Sequence, residues 1–422
     1  MDKLLNVHQA SSAIGVSSDT IRRWEKKGLI KGQRTDLNYR LFNIDEIKRL
    51  QQQISGQGSG RDFKVLSKKS KSKYSVIELF AGAGGTALGF ENAGLKHSLL
   101  LDIDKDATST LKKNRPDWNV INADVKAFSF KNLEADIVEG GFPCQAFSHA
   151  GKKMGFEDTR GTLFFELARC IKEVRPKVFM GENVKGLLNH DEGRTLKVII
   201  EVLKDLGYRV SYKLLRAQYL DVPQKRERLV IIGVRKDLKI PILFPKERNY
   251  TISVREGLKN CPPSPGQEYP KRKKEILKKV PPGGYWRDLP LALQKEYMQA
   301  SFFMGGGKTG MARRLAWDEP SLTLTCAPAQ KQTERCHPEE TRPLTVREYA
   351  RIQTFPDKWQ FSGSVASQYK QIGNAVPVNL SYHIGECLIA MLENKPDPKT
   401  MDIILPGQET TILEQLKLIS TK

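Results

Sequence analysis

The sequence predicts an α/β protein: a doubly wound, mostly parallel sheet with a small irregular domain and an N-terminal winged helix-turn-helix. Three observations carry this. From Tyr74 onward, short apolar β-branched runs alternate with amphipathic helical stretches. Residues 236–340 abandon that alternation for Pro, Gly and basic residues, and residues 1–50 hold two short helical patterns around a turn. The 422 residues suffice for two or three domains and at least one large core.

In residues 1–50, "NVHQASSAIGVSSDTIRRWEKKGLIKG" predicts a helix near 7–14, a turn at Gly15 and Val16, and a second helix running through Trp24 and Glu25. Ser17 or Ser18 caps the orphan N–H groups of the second helix, and Asp19 suits its positive end. "RTDLNYRLFN" alternates as a short hairpin wing, and "IDEIKRL" starts another helix. This is a helix-turn-helix layout, with Arg22 and Arg23 on the second helix within reach of base edges or phosphates. A protein-docking module with a solvated basic face fits the same pattern. The stretch resembles the winged helix-turn-helix of the MerR family, without the long dimerising helix and sensor part of such regulators.

Residues 51–73 are polar, Gly/Ser-rich and then Lys-rich, and read as a flexible basic linker. The core follows over residues 74–235. Its expected strands are "SVIELF" (75–80), "HSLLLDI" (97–103), "ADIVEGG" (135–141), "KVFMGENV" (177–184) and "RLVIIGV" (228–234). Helical stretches such as "TLFFELARCIKEV" and "RTLKVIIEVLKDLG" intervene, the pattern of a parallel sheet covered on both faces. Residues 341–395 contain a turn and an amphipathic helix, and residues 396–422 read as a tail.

The net charge of +21 calls for a polyanionic partner, nucleic acid or an acidic membrane surface. No stretch approaches the roughly 18 uncharged apolar residues of a membrane span. The N-terminus lacks a basic segment followed by an apolar block, so no signal peptide is expected. The six cysteines are scattered without a CxxC pair, which suits the reduced thiols of a cytoplasmic protein.

In such sheets ligands bind beyond the carboxyl ends of the strands, where the chemistry-bearing motifs also fall. After the first strand, "FAGAGG" holds Gly82, Gly84 and Gly85, which permit a tight turn and close backbone approach to a ligand. A purely structural strand-to-helix turn has the same pattern. Asp102, ending the second strand, is a candidate acceptor for ribose hydroxyls, and Asp124 for an adenine amino group. With no GK[ST] present, this set suits an adenosine-containing cofactor better than a nucleoside triphosphate. In "GGFPCQAFSHAG", Cys144 follows a strand on a loop; it is either an exposed nucleophile or a buried structural thiol. Glu182 in "GENV", with Arg226 and Arg228 in "QKRERL", would complete a compact site.

"FAGAGG", "PCQAFS", "ENV", "QKRERL" and "QIGNAVP" occur in that order, and together they resemble the signature motifs of the cytosine-C5 DNA methyltransferases over about residues 75–392. The resemblance implies the S-adenosylmethionine-dependent methyltransferase fold, that cofactor, and double-stranded DNA as substrate. It implies a Cys144 thiolate adding to C6 of a flipped cytosine, Glu182 hydrogen-bonding N3 while protonated or sharing a proton, and Arg228 holding the base, with a related role for Arg226. No single protein base is evident for removal of the C5 proton, which leaves a water.

By the same resemblance Phe80, Asp102, Ile103, Asp124, Pro143, Leu163, Asn374 and Val376 contact the cofactor, and Gln145 and Ser148 of the "PCQAFS" loop contact DNA. The family most often has Glu where this chain has Asp102, whose shorter side chain still reaches a ribose. The segment 368–392 packs back beside the Gly-rich turn, so truncation near residue 370 should abolish activity.

Residues 236–340 correspond to the family's variable target-recognition domain. There Arg313, Arg314, Gln330, Gln332 and Arg335 have the chemistry for bidentate base contacts, and Thr323 resembles a family phosphate contact. Cys326, Cys336 and His337 lack a fourth ligand and close spacing, so no metal is expected.

The resemblance further implies a monomer in a restriction–modification system, with a cognate endonuclease acting on the same site without a stable complex. Two rival readings are an RNA cytosine-C5 methyltransferase and a transcriptional regulator with secondary methyltransferase activity. A self-regulating helix-turn-helix is compatible with the main reading.

Overall fold

The computed structural model describes residues 4–14, 16–26, 30, 32–34, 39–43, 47, 63–142 and 163–409. Strand β1 (Leu4–Asn6), helix α1 (Val7–Ile14), helix α2 (Ser18–Lys26), β2 (Gly32–Arg34) and β3 (Arg40–Asn43) form an N-terminal module. Its antiparallel sheet has the order β1-β3-β2. Asn6 Oδ1 accepts from the amides of His8 and Gln9 and so starts α1. Ala10, Ile21, Trp24 and Phe42 make the module's small core.

Residues 51–62 of the expected linker lie outside the described residues. Residues 63–73 depart from the linker expectation. The amides of Lys68 and Ser72 each donate over 2.8 Å to the carbonyls of Asn92 and Gly94. Asn379 accepts from the Leu66 amide and donates to the Lys64 carbonyl, both at 2.9 Å. Hydrogen bonds from its backbone, the packing of Val65 on the core and a Lys68–Glu386 ion pair hold this polar stretch.

The large sheet contains β4 (Ser75–Leu79), β5 (Lys96–Asp102), β6 (Val120–Asn122), β7 (Ile137–Gly140), β8 (Val178–Val184), β9 (Tyr208–Arg216) and β11 (Glu227–Arg235), with the two-residue β10 (Gln224–Lys225) just before β11. Its order is β6-β5-β4-β7-β8-β11-β9. The first five strands pair in parallel; β11 is antiparallel to both β8 and β9. The chain leaves β4 toward one edge and returns to β7 on its other side, so the direction of winding reverses between β4 and β7. That reversal opens a crevice at the carboxyl ends.

Helices α3 (Gly85–Ala93) and α4 (Lys105–Asn114) follow β4 and β5, while α5 (Leu163–Val174) and α6 (Arg194–Asp205) cover one sheet face. Phe164, Leu167, Ile171, Ile199 and Leu203 of α5 and α6 pack there on Val138, Phe179 and Ile231.

Strand β12 (Ile242–Pro245) leads out of the core into a region of short elements: α7 (Val254–Leu258), α8 (Lys271–Leu277), α9 (Leu291–Met298) and β13 (Ser321–Leu322). There Tyr269, Leu277, Trp286, Tyr297, Met298 and Cys336 share a separate core.

The chain then returns through α10 (Val346–Ile352), α11 (Val365–Asn374) and α12 (Val378–Glu393). Leu380, Ile384 and Leu388 of α12 cover the second sheet face against Val76, Val230 and Ile232. The expected tail is in part structured, since β14 (Met401–Ile404) pairs antiparallel with β12. The stretch Val365–Glu393 is apolar enough to cross a membrane by composition, but 78% of its apolar window is buried in the core.

Candidate functional site

The turn after β4 is built from unusual backbone. Phe80, Gly82 and Gly84 have φ of 58°, 53° and 86°, all left-handed. The reversal aims the Gly82 amide at Asp102 Oδ2, 2.8 Å away, while Asp102 Oδ1 accepts from the Asp104 amide at 2.7 Å. Burial raises the Asp102 carboxyl above the usual range, against these two hydrogen bonds. Gly85 answers a different need: a Cβ there would overlap the Val376 carbonyl. Gly84, at the N-cap of α3, would run into Leu111 and Trp359. Both glycines serve close packing of helix and C-terminal segment.

A cavity of about 780 Å³ opens at the strand ends. Phe80, Gly82, Gly85, Asp102 and Ile103 line one wall, Asn374 and Val376 another, and Glu182, Arg226 and Arg228 a third. Three expected contacts are not in the lining. Gly84 is behind the turn. Asp124 caps the 125–127 turn by accepting from the Lys126 amide at 2.9 Å. Leu163 packs against the core of α5 and α6. Pro143, Cys144, Gln145 and Ser148 lie outside the described residues.

Arg226 and Arg228 reach this edge because β11 is antiparallel. Its first residues then lie beside the last residues of β8, with Arg228 opposite Val184 and Val230 opposite Glu182. Arg228 Nε stands 2.6 Å from Glu182 Oε1. The pair is close but not aligned as a hydrogen bond, and Glu182 Oε1 has no hydrogen-bond partner among the described residues. A Cβ on Gly141 would lie 3.2 Å from Glu182 Oε2, so the glycine leaves that carboxylate its space. Arg226 is 1% exposed and donates to the carbonyls of Leu324 and Gly373 at 3.1 and 3.0 Å. Burial, followed by the charge of Arg228, lowers its pKa well below the ordinary value. It ties three chain segments together at the cavity wall.

Sequence reasoning missed several supports. Asn183 donates to the Phe142 carbonyl at 2.8 Å and so fixes the strand end that leads to Cys144. Gln224 donates to Gln353 Oε1 at 2.8 Å, and Gln353 donates to the Ile372 and Ala375 carbonyls. Both glutamines are fully buried, a cost met only by complete hydrogen bonding. Glu139 lines the cavity; burial, then the charges of Glu78 and Glu182, raises its carboxyl well above the usual range. The signals were present in "ENV", "QKRERL" and "IVEGG", where a polar residue interrupts an apolar strand.

Three proposed base readers must be corrected. Arg313, Arg314 and Arg335 are buried. Arg314 donates to the carbonyls of Val280, Leu277 and His337, and Arg335 to those of Thr323 and Glu334. Arg313 lies against the Tyr285 ring, 5.8 Å from its centroid. In a region short of regular structure, guanidinium groups satisfy carbonyls that no ladder pairs. Gln330 and Gln332 are exposed. Thr323 Oγ1 donates to the Lys225 carbonyl at 2.7 Å, next to the site. Cys326 Sγ is 3.0 Å from Asn374 Oδ1, whereas His337 Nδ1 accepts from the Glu339 and Glu340 amides. In the N-terminal module, Arg22 is exposed and pairs with Asp19, and Arg23 pairs with Glu319.

Comparison with known proteins places this geometry. The sequence profile of the C-5 cytosine-specific DNA methylases matches residues 74–390, and that of the MerR family of regulatory proteins matches residues 6–42. The type II methyltransferase M.Eco47II of Escherichia coli is 56% identical over 402 residues, covering 92% of this chain and 96% of its own. M.Sau96I of Staphylococcus aureus is 52% identical over 341 residues, covering 78% and 79%. Among solved structures, a Spodoptera frugiperda DNMT2 variant superposes with a TM-score of 0.54 at 18% identity, covering 75% of this chain and 100% of its own. That last likeness bears on the fold alone.

Proposed function

The chain belongs to the C-5 cytosine-specific DNA methylase family, and from that premise we propose that it methylates a cytosine flipped out of a short specific duplex sequence, with S-adenosylmethionine as methyl donor and Cys144 as nucleophile. It is a DNA (cytosine-5-)-methyltransferase, and its type II relatives put that activity in a restriction–modification context.

The observation that most supports the detailed reading is Glu182: buried in the cavity wall, with Oε1 paired to Arg228 Nε at 2.6 Å yet accepting no aligned hydrogen bond among the described residues. Cytosine C5 is too poor a nucleophile to accept a methyl group directly. Addition of the Cys144 thiolate to C6 would turn the ring into an enamine-like species rich in electrons at C5. Glu182 would hand a hydrogen bond or proton to N3, where charge develops, and Arg228 would orient the carboxyl and favour the thiolate. Once C5 carries the methyl group, a water would take the C5 proton, the C5=C6 double bond would re-form, and the Cys144–C6 bond would break to release the thiolate. Arg226, in the cavity wall, would act by holding Leu324 and Gly373 against the catalytic strand.

The cavity walls fit the methyl donor. Asp102 is fixed by two amides and retains lone pairs for ribose hydroxyls. Ile103 is 67% exposed and offers apolar surface for adenine to cover. The chemistry that S-adenosylmethionine supplies when bound is an electrophilic methyl group. Phe80, Asn374 and Val376 would close the same pocket around it.

Residues 236–340 would read the duplex, with Gln330 and Gln332 as exposed base-reading side chains and Thr323 at the edge. The enzyme would act as a monomer, and a cognate endonuclease would share its target without a stable complex. The N-terminal module is read as a second DNA-binding unit, supported by its match to the MerR profile and by exposed Arg22 on α2.

The test is bisulfite sequencing of unmethylated plasmid after incubation with protein and S-adenosylmethionine, beside Cys144→Ala and Glu182→Gln. Protected cytosines in one recurring short sequence, lost with Cys144→Ala and sharply reduced with Glu182→Gln, are expected. Protection that survives Cys144→Ala would overturn the mechanism.

A further inference from the structure

In a helix-turn-helix on DNA, the N-terminal residues of the second helix meet base edges, and its cations meet phosphates. In this chain the N-terminal end of α2 meets protein. Ser17, Ser18 and Thr20 are all buried. Gly283 lies so close that a Cβ built on it would stand 3.2 Å from both the backbone nitrogen and the Cβ of Ser17, and 3.2 Å from the Cβ of Ala316. His8 Nε2, on α1, is 3.9 Å from Asp288. The module is therefore seated on residues 283–319, part of the region proposed to read the methylation target.

An ion cluster fastens this seat. Glu319 Oε2 is 2.8 Å from Arg23 Nη2 and 2.5 Å from Lys225 Nζ. Burial opposes the carboxylate's charge, but Lys225 and then Arg23 overcome it and hold the group down at about 2. Glu319 stays ionised at neutral pH and neutralises Arg23, a cation whose chemistry otherwise suits a DNA phosphate. Lys225 also belongs to β10, directly before Arg226, so the seat adjoins the catalytic edge.

We propose that docking on Gly283, Ala316 and Glu319 masks the DNA-reading end of α2, so that the module grips a second DNA sequence only after it leaves this seat. The inference rests on reading the module as a DNA-binding unit. A duplex that binds only the released form shows an apparent affinity reduced by the released fraction. Loosening the seat should strengthen module-dependent binding.

The experiment uses the full chain in three forms: wild type, Glu319→Gln, and Ala316→Gln, which adds bulk at the seam without changing charge. Hydrogen exchange at the amides of Ser18 and Thr20 reports docking. Random-sequence duplexes enriched on each protein, with the methylation site competed away, report module binding. Both variants should speed exchange, and both should bind one enriched sequence at least about 10-fold more tightly than wild type. Adding Arg22→Ala should remove that gain. Unchanged exchange in both variants would overturn the docking contact as the fastener. Equal binding of the enriched duplex by wild type and by both released variants would overturn the masking. Released modules that enrich no sequence would instead refute DNA binding by the module, and the masking with it.

Discussion

Asn183, near the end of β8, and Phe142, two residues past β7, are joined by a 2.8 Å hydrogen bond from the Asn183 side-chain Nδ2 to the Phe142 carbonyl. The bond is buried, and Phe142 stands two residues before Cys144. Asn183→Ala should cost about 1–3 kcal/mol, because the Phe142 carbonyl loses its partner without gaining water. The single-turnover methylation rate should fall with it, while the sequence of the methylated site stays the same. Urea unfolding and single-turnover kinetics check the two halves.

Gly85→Ala tests the closure between the Gly-rich turn and the C-terminal segment. The added methyl meets the Val376 carbonyl, and Val376 lines the cavity. Overpacking of this kind costs about 1–3 kcal/mol. S-adenosylmethionine should then raise the melting temperature of the variant less than that of the wild type, measured by thermal unfolding with and without it.

His383 carries a pH signature. Its Nε2 is 2.9 Å from Asp221 and its Nδ1 3.5 Å from Glu386. Burial disfavours its charge, but the bonds to Asp221 and Glu386 outweigh burial and raise its pKa above the ordinary value. A raised folded pKa stabilises fully below the unfolded value of about 6.5, and that contribution disappears as pH rises through the folded value. Wild-type stability should therefore decline from about pH 6.5 upward more than that of His383→Gln. Urea midpoints across this range decide it.

Arg314 and Gln332 should separate stability from specificity. Arg314→Met strands the carbonyls of Val280, Leu277 and His337, at a cost of about 3 kcal/mol or more, without changing the methylated sequence. Gln332→Ala should leave the melting temperature within about 1 °C, since surface changes of this kind are nearly neutral. It should relax the choice of base at one position of the site, read by bisulfite sequencing of randomised targets.

The strands were legible wherever apolar β-branched runs were continuous, as in "SVIELF" and "RLVIIGV", which became β4 and β11. Strand β9 was not, because "YRVSYKLLR" mixes Arg, Ser and Lys into an outer strand. The direction of β11 was also hidden: apolar content says nothing about orientation, yet only the antiparallel course brings Arg226 and Arg228 to the site. Glu182 and Asp102, which both line the cavity, stood out in the sequence as acids at strand ends beside other motifs, Asp102 after the Gly-rich turn and Glu182 in "ENV" ahead of "QKRERL". Arg313, Arg314 and Arg335 misled for the opposite reason. A guanidinium looks alike in sequence whether it faces a base or a cluster of carbonyls, and only burial tells them apart.

Helix α12 lies along α3 so closely that a Cβ on Gly89 would collide with Ser381, and Asn374 and Val376 finish the cavity begun by Phe80. Some 290 residues of synthesis separate these partners, a separation of the kind that slows folding. A chain still on the ribosome holds every motif from "FAGAGG" to "QKRERL" before it owns a complete pocket. The segment leading into α12 thus acts as a timer: the pocket cannot close until translation has passed residue 376 and that segment has emerged.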